Sequence, residues 1–352
     1  MPRPMIRRGP NLLLARNPLQ TVPVIEIEVD VADLAQVRFA TDAVWETSAS
    51  LHALVFPKHH LLHQRLRRLV PKRPGFDLDH LVMLHRTGSW LPDICAPAPS
   101  PRPGHPLEQL EAVRRTDLAV AEADLCQLRR LQPDTESARL TPEQYVERTA
   151  DAMAGWWSVV LEPLWERIDA IHRADIAHHQ AVLAAQGFAA TMPVLHRDLS
   201  FADRKVRVDL GKVQHASSAA GQGLWFMPSV FRWPWVAVDT RDGAAVVSYG
   251  ARGAGRVWQQ PGREAPQGLP DLIGRTRASL LERLDIPLST TALAQAMGLS
   301  ISTVSEHLTV MSSSGLLQSR REGQRVLYWR TRVGDLLVDG DVSDRRFRLT
   351  GH

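Results

Sequence analysis

The residues with the clearest chemical potential gather near the C-terminal end of this 352-residue chain. Ser300, Ser302, Thr303, Ser305, Glu306, His307 and Thr309 fall within ten positions, and Arg320, Arg321 and Arg325 follow shortly after. Small hydroxyl side chains let a backbone approach a nucleic-acid groove and exchange hydrogen bonds with base edges, while guanidinium groups grip phosphate in a bidentate fork. The set suits the reading of duplex DNA. Ser302, Thr303, Ser305 and Glu306 are expected at base edges, His307 and Thr309 at the groove wall or backbone, and the three arginines on phosphate.

Other constellations carry weaker chemistry. His59 and His63 are one helical turn apart, with His52 and His60 close by, a spacing that supplies two zinc ligands at most. A solvated helix face is the expectation, and no metal is assigned. The run LHRDLSFADRKVRVDLG, Leu195 to Gly211, mimics a kinase catalytic loop. It has Asp203 where a kinase needs Asn, and the chain lacks the glycine-rich nucleotide loop, so the alternation in VRVDL reads as a strand. No nucleophile, base and orienting group cluster in sequence, which leaves no catalytic residue and no cofactor to name. The chain reads as a non-enzyme. Trp156, Trp157, Trp225, Trp233 and Trp235 fall in one region and either fill a core or line an apolar pocket for a small organic effector.

Composition sets bounds on these readings. The hydrophobic fraction of 44% and charged fraction of 23% are those of a folded globular chain, long enough for two or three domains. Cys95 and Cys126 stand apart, so neither a disulfide framework nor a thiolate cage is expected, and a reducing cytoplasm fits. A long span free of Lys, Arg, Asp and Glu, Val213 to Phe231, is too polar to cross a bilayer. A net charge of +4, drawn mostly from arginine, permits an anionic partner.

The elements that must position the C-terminal set follow from patterning. A helix is expected over Leu272 to Leu284, then a short one capped by Ser289 or Thr290 and closed by Gly298 in the left-handed region. Ser300 caps a third helix whose Ile301, Val304, Leu308 and Met311 form a buried stripe, forcing the hydroxyl residues outward. After Gly315, Leu316–Arg321 and Arg325–Arg330 pair as a hairpin. Helix, short helix, turn, helix and basic hairpin is the winged helix-turn-helix order. From Asp271 to Arg332, eight arginines face five acids, a net of +3.

Upstream, helices are expected within Val31–Leu69, over Leu107–Leu131 and, capped by Thr141 and Pro142, over Thr141–Leu183. Short β-type runs at VRVDL, SVFRWPWVAV and AAVVSY suggest a small antiparallel sheet. The fold class is thus α+β: a mostly helical N-terminal region with that sheet, then a C-terminal winged helix-turn-helix. The expected organisation is a basic tail and short strand over 1–30 and an effector domain over 31–258, divided by a proline-rich spacer at 96–106. A DNA-binding domain over 269–338 and a tail over 339–352 complete it.

TTALAQAMGLSISTVSEHLTVMSSSGLLQSRREGQRVLYWR resembles the DNA-binding core of the ArsR family of bacterial regulators, in residues Thr291, Leu293, Ala294, Val304, Ser305, His307, Leu308, Gly315, Leu316, Arg321, Gly323 and Tyr328. GRTRASLLERL, VRFATDAVWETSASLHAL, LPDI and GLWFMPSVFRWPWVAV extend the likeness to a long actinobacterial branch of that family. The resemblance implies a homodimeric transcription factor, often a repressor, whose hold on double-stranded DNA changes with an effector. Metal-sensing members use paired cysteines near the third helix, and this segment contains no cysteine. The competing reading is an effector-binding or scaffolding protein whose winged helix meets another protein.

Overall fold

A computed structural model describes residues 13–14, 23–87, 90–100, 104–209, 213–219, 221–240, 245–258, 268–284, 287–322 and 325–339. Most of the expected tails at 1–30 and 339–352, and the joint at 259–267, lie outside the described residues. The chain divides into two compact units, Met1–Ala254 and Gly255–His352.

The N-terminal unit is built around two sheets. Strands β1 (Leu13–Leu14), β8 (Val236–Asp239), β9 (Ala245–Gly250), β7 (Leu224–Ser229) and β3 (Arg38–Phe39) lie in that order in one. The other runs β4 (Leu199–Ala202), β5 (Lys205–Val208), β2 (Pro23–Glu28), β6 (Val213–Ser218). A single small antiparallel sheet was the expectation. Instead both sheets are mixed, because β2–β6, β7–β9 and β7–β3 pair in parallel while their neighbours run antiparallel. The α+β class is unaffected.

Alternation explains how the sheets share a core. Ile25 and Ile27, Val206 and Val208, Leu224 and Phe226, Val236 and Val238, and Val247 and Tyr249 sit two apart on their strands and join one buried cluster. Outward positions are polar: Glu26 meets Lys205 Nζ at 2.8 Å and Arg207 Nε at 2.9 Å. The kinase-like run folds as the β4–β5 hairpin, with Asp203 and Arg204 both at positive φ in its two-residue turn, as a type I′ connection requires.

The helical part surrounds α2 (Ala43–Val55), whose residues from Ala43 to Ala53 are all buried. Its polar Glu46, Thr47, Ser48, Ser50 and His52 are enclosed along with its apolar residues. It packs against α3 (Leu66–Leu69), α4 (Leu78–His85), α5 (Pro106–Arg114) and α7 (Pro142–Trp156). The short α1 (Val31–Leu34) precedes it, with Asp30 and Asp33 forming a capping box. The proline-rich spacer does not divide this region: Ala96 is buried, Pro97 O accepts from Trp45 Nε1, and Gln109 of α5 accepts from Ala43 N.

Two expected helices are broken. Asp117 caps a new start, so α5 gives way to α6 (Leu118–Leu131). The Thr141 capping box opens α7 as expected. Pro163, however, lacks an N–H and clashes with the preceding turn, and a π-turn at Trp157–Leu161 and a tight turn at Glu162–Leu164 separate α7 from α8 (Trp165–Gln186). Helix α9 (Phe188–Leu195) then leads into β4 and gives Met192 and Leu195 to the sheet core.

In the C-terminal unit come α10 (Leu269–Ile273), α11 (Arg275–Arg283), β10 (Leu288–Ser289), α12 (Thr290–Met297), α13 (Ile301–Ser313), the hairpin β11 (Leu317–Glu322) and β12 (Arg325–Arg330), and α14 (Arg332–Asp339). Its three strands order as β10–β12–β11. Leu280, Leu281, Leu284, Leu293, Val304, Leu308 and Met311 form the core. This is a winged helix-turn-helix.

Candidate nucleic-acid interface

The turn between α12 and α13 is set by local chemistry. Ser289 Oγ accepts from Ala292 N and starts α12; Gly298, at φ +65°, ends it in the left-handed region, where a side chain is strained. Leu299 N donates back to Ala294 O, the longer of the two bonds that close a Schellman cap. Ser300 then caps α13, its Oγ accepting from Thr303 N at 3.1 Å. Gly315, at φ +72°, releases the chain into β11.

With Val304, Leu308 and Met311 buried, α13 presents Ser302, Ser305, Glu306 and Thr309 as exposed residues, with Thr303 and His307 half-buried on its flank. Ile301, expected in the buried stripe, is instead 56% exposed. It is the first residue of the helix and projects beyond the core that receives Val304 one turn later. The hydroxyls are not equivalent. Ser300 Oγ lies 2.8 Å from both Ser302 Oγ and Thr303 Oγ1, and Thr309 Oγ1 donates to Ser305 O, so part of this face is already ordered by its own hydrogen bonds.

In the wing, Arg321 is exposed and Arg320 half-buried, while Arg325 begins the returning strand opposite Glu322. The side chain of Arg325 and the turn at 323–324 lie outside the described residues. Arg330, counted above as part of the basic excess, is buried: its Nε donates to Asp335 Oδ1 at 3.1 Å and its terminal nitrogen to Leu281 O at 3.1 Å. That guanidinium ties β12 to α11 and α14.

The five candidate effector tryptophans are not gathered around one space. Trp156 Nε1 donates to Ser50 Oγ in the helical core, and Trp157 packs on Trp165 at 4.7 Å. Trp235 Nε1 donates to His59 O, and Trp233 precedes a cis peptide to Pro234. Trp225, on β7 beside the edge strand β3, lies under the guanidinium of Arg38, 5.1 Å from Cζ to ring centroid.

Sequence reading missed the buried polar core of the N-terminal unit. His52, His60 and His63 are buried, not a solvated face, because α2 is enclosed; His52 Nδ1 lies 2.9 Å from His60 Nε2. Among the described residues no three His, Cys, Asp or Glu side chains converge as a metal cage. Burial favours the neutral rings, taking His63 down to about 3 and His85 to about 4. Glu46 accepts from Val230 N at 2.9 Å and Phe231 N at 3.2 Å and faces His172 Nε2 at 3.5 Å. Burial pushes the Glu46 carboxyl up, but the His172, Ser229 and Phe231 interactions outweigh it and hold the group below its ordinary value. A second network joins Tyr249 to Asp175 Oδ2 at 2.6 Å, with His179 Nδ1 3.1 Å from the same oxygen. Apart from Asp175 and His179, one helical turn apart on α8, the partners lie about 70 to 190 residues from each other, so no local motif announces the networks; the enclosed α2 with its lone Glu46 was the available signal for the first.

Two family models match the chain. Residues 115–254 match a family of unknown function (DUF5937), and residues 273–320 match a helix-turn-helix domain. No curated protein and no solved structure matches it. The C-terminal unit therefore carries a helix-turn-helix domain, the module with which transcription regulators bind DNA. No helix among the described residues is long and apolar enough to cross a membrane.

Proposed function

We propose that this protein is an effector-responsive transcriptional repressor of the ArsR type, binding duplex DNA as a homodimer. One observation carries the reading: α13, capped by Ser300 and anchored by Val304, Leu308 and Met311, leaves Ser302, Ser305, Glu306 and Thr309 exposed beside an arginine-bearing hairpin. In a groove, Ser302, Thr303, Ser305 and Glu306 address base edges; a carboxylate such as Glu306 accepts from the cytosine amino group. Ile301, exposed at the same end, suits a thymine methyl. His307 and Thr309 lie towards the groove wall, and Arg320, Arg321 and Arg325 take phosphate. The amide end of α13 after Ser300 adds a partial positive charge for a backbone phosphate.

Two-fold pairing follows from the symmetry of operators, with half-sites about 10 base pairs apart placing two copies of α13 in successive major grooves. The family likeness of the TTALAQAMGLSISTVSEHL run supports both the ArsR assignment and the repressor role. The test is fluorescence anisotropy with the DNA upstream of the protein's own gene, beside a shuffled duplex of equal length and sedimentation of the complex. Preference for the upstream DNA of about 10³-fold, with two protomers per site, is expected. Equal affinity for both duplexes would overturn the assignment.

A further inference from the structure

We infer that the N-terminal unit binds a small organic carboxylate in the cleft between β3 and α8, a reading that rests on the effector-responsive function above and gives its ligand a chemical class. The cleft has a volume of about 620 Å³. That is within the roughly 300 to 1,000 Å³ typical of small-molecule sites. One wall is the β3 strand with its flanks, Val37 to Thr41; the other is a single face of α8, with Ile176, Gln180 and Leu183 at helical spacing. Trp225 of β7 lines it where β3 leaves the sheet edge.

Its chemistry is one-sided. Val37, Phe39, Ile176, Leu183 and Trp225 offer an apolar bed, and the ionisable side chains of the lining are Arg38 and Arg173, with no carboxylate among them. Arg173 spends its charge on Asp169 within its own helix. Arg38 has no such partner among the described residues. Its guanidinium carbon lies over the Trp225 ring at 5.1 Å from the centroid, one nitrogen donating to Gln36 Oε1 at 3.1 Å and the other lying 3.4 Å from Gln222 O. These neutral contacts orient the fork without neutralising it, leaving donors for a bidentate carboxylate. A flat or extended apolar body then lies beside them, on Phe39, Ile176 and Leu183. A cation is repelled, and a neutral isostere loses the charge-assisted pair.

The experiment is calorimetric titration of the full chain with 1-naphthoate and octanoate, against 1-naphthamide and octanamide, repeated on Arg38→Gln and Ala184→Trp. Ala184 is an exposed α8 position lining the cleft, so the indole fills the space from the opposite wall. Saturable binding of a carboxylate, weakened at least 10-fold in its amide, in Arg38→Gln and in Ala184→Trp, is the expected result. No saturable binding of either acid, or binding undiminished in Ala184→Trp, overturns the proposal; Ala184→Trp decides if Arg38→Gln does not fold. DNA anisotropy of the ligand-free chain is read alongside. Carboxylate binding with no DNA complex would sink the regulator reading and leave the cleft standing, and the reverse pattern would sink the cleft alone.

Discussion

Lowering the pH from 7.5 to 5.5 should destabilise the N-terminal unit, and the buried histidines set by how much. Burial takes His63 to about 3 and both His80 and His85 to about 4, against an ordinary value of 6.5. In the folded chain these rings stay neutral through the window. In the unfolded chain each gains a proton near pH 6.5, so the unfolded state binds more protons and stability falls with pH. The contribution is complete above pH 6.5 and is lost progressively as pH drops towards 4. At pH 5.5 each ring costs about 1.3 kcal/mol relative to pH 7.5, roughly 4 kcal/mol for three. Asp42 works the other way: burial lifts its carboxyl to about 6 against the N–H groups of Trp45 and Val44, so the folded state takes up a proton and regains about 0.8 kcal/mol. The net loss is about 3 kcal/mol, and His52 and His60, lowered by the same burial, add to it. Eight of the ten tryptophans lie in this unit, so their emission follows its urea transition. His85→Phe, which removes one ring from the sum, should shrink the pH-dependent loss by about 1.3 kcal/mol. A urea midpoint that is flat or rises between pH 7.5 and 5.5 would refute the reasoning.

Further outcomes follow from the geometry. Ser300→Ala removes the acceptor for Thr303 N and should cost the C-terminal unit about 1 kcal/mol, read from its own circular dichroism melt. Ser300→Asp should keep that stability while weakening DNA binding about 10-fold or more, since a good cap becomes a charge facing phosphate; wild-type affinity in the Asp variant would remove the α13 end from the interface. Arg321→Ala should lower affinity across all sequences and reduce the salt slope by about one, whereas Glu306→Ala should change sequence preference with the slope intact. Glu46→Leu strands the amides of Val230 and Phe231 and the ring of His172, and urea titration should show a loss of about 3 kcal/mol or more.

What could be read from sequence was mostly what is decided locally. Ser289, Gly298, Ser300 and Gly315 punctuate the C-terminal unit where their side chains or backbone freedom dictate, and Thr141 with Pro142 opens α7 as its capping chemistry requires. Long-range decisions were less accessible. Nothing in GLWFMPS says that β7 pairs in parallel with β9 or that both its faces are covered. Apolar spacing placed Ile301 inward, yet periodicity does not know where the core ends. Charge counting placed Arg330 in the basic excess, because a tally cannot see Asp335 or the carbonyl of Leu281 waiting for it. The histidines of α2 and its following loop looked wet for the same reason: their enclosure depends on helices contributed from a hundred residues away.

The place of β2 in its sheet has a practical corollary. The segment that matches the family of unknown function starts at residue 115, whereas β2 at Pro23–Glu28 lies between β5 and β6, and the enclosed α2 also precedes that boundary. A polypeptide trimmed to 115–254 would therefore carry β5 and β6 with no strand to join them, exposing Val206 and Val208 and two raw backbone edges. Such a fragment should aggregate when produced alone. Recombinant work on the N-terminal unit has to begin upstream of residue 23 to retain the strand that unites the sheet.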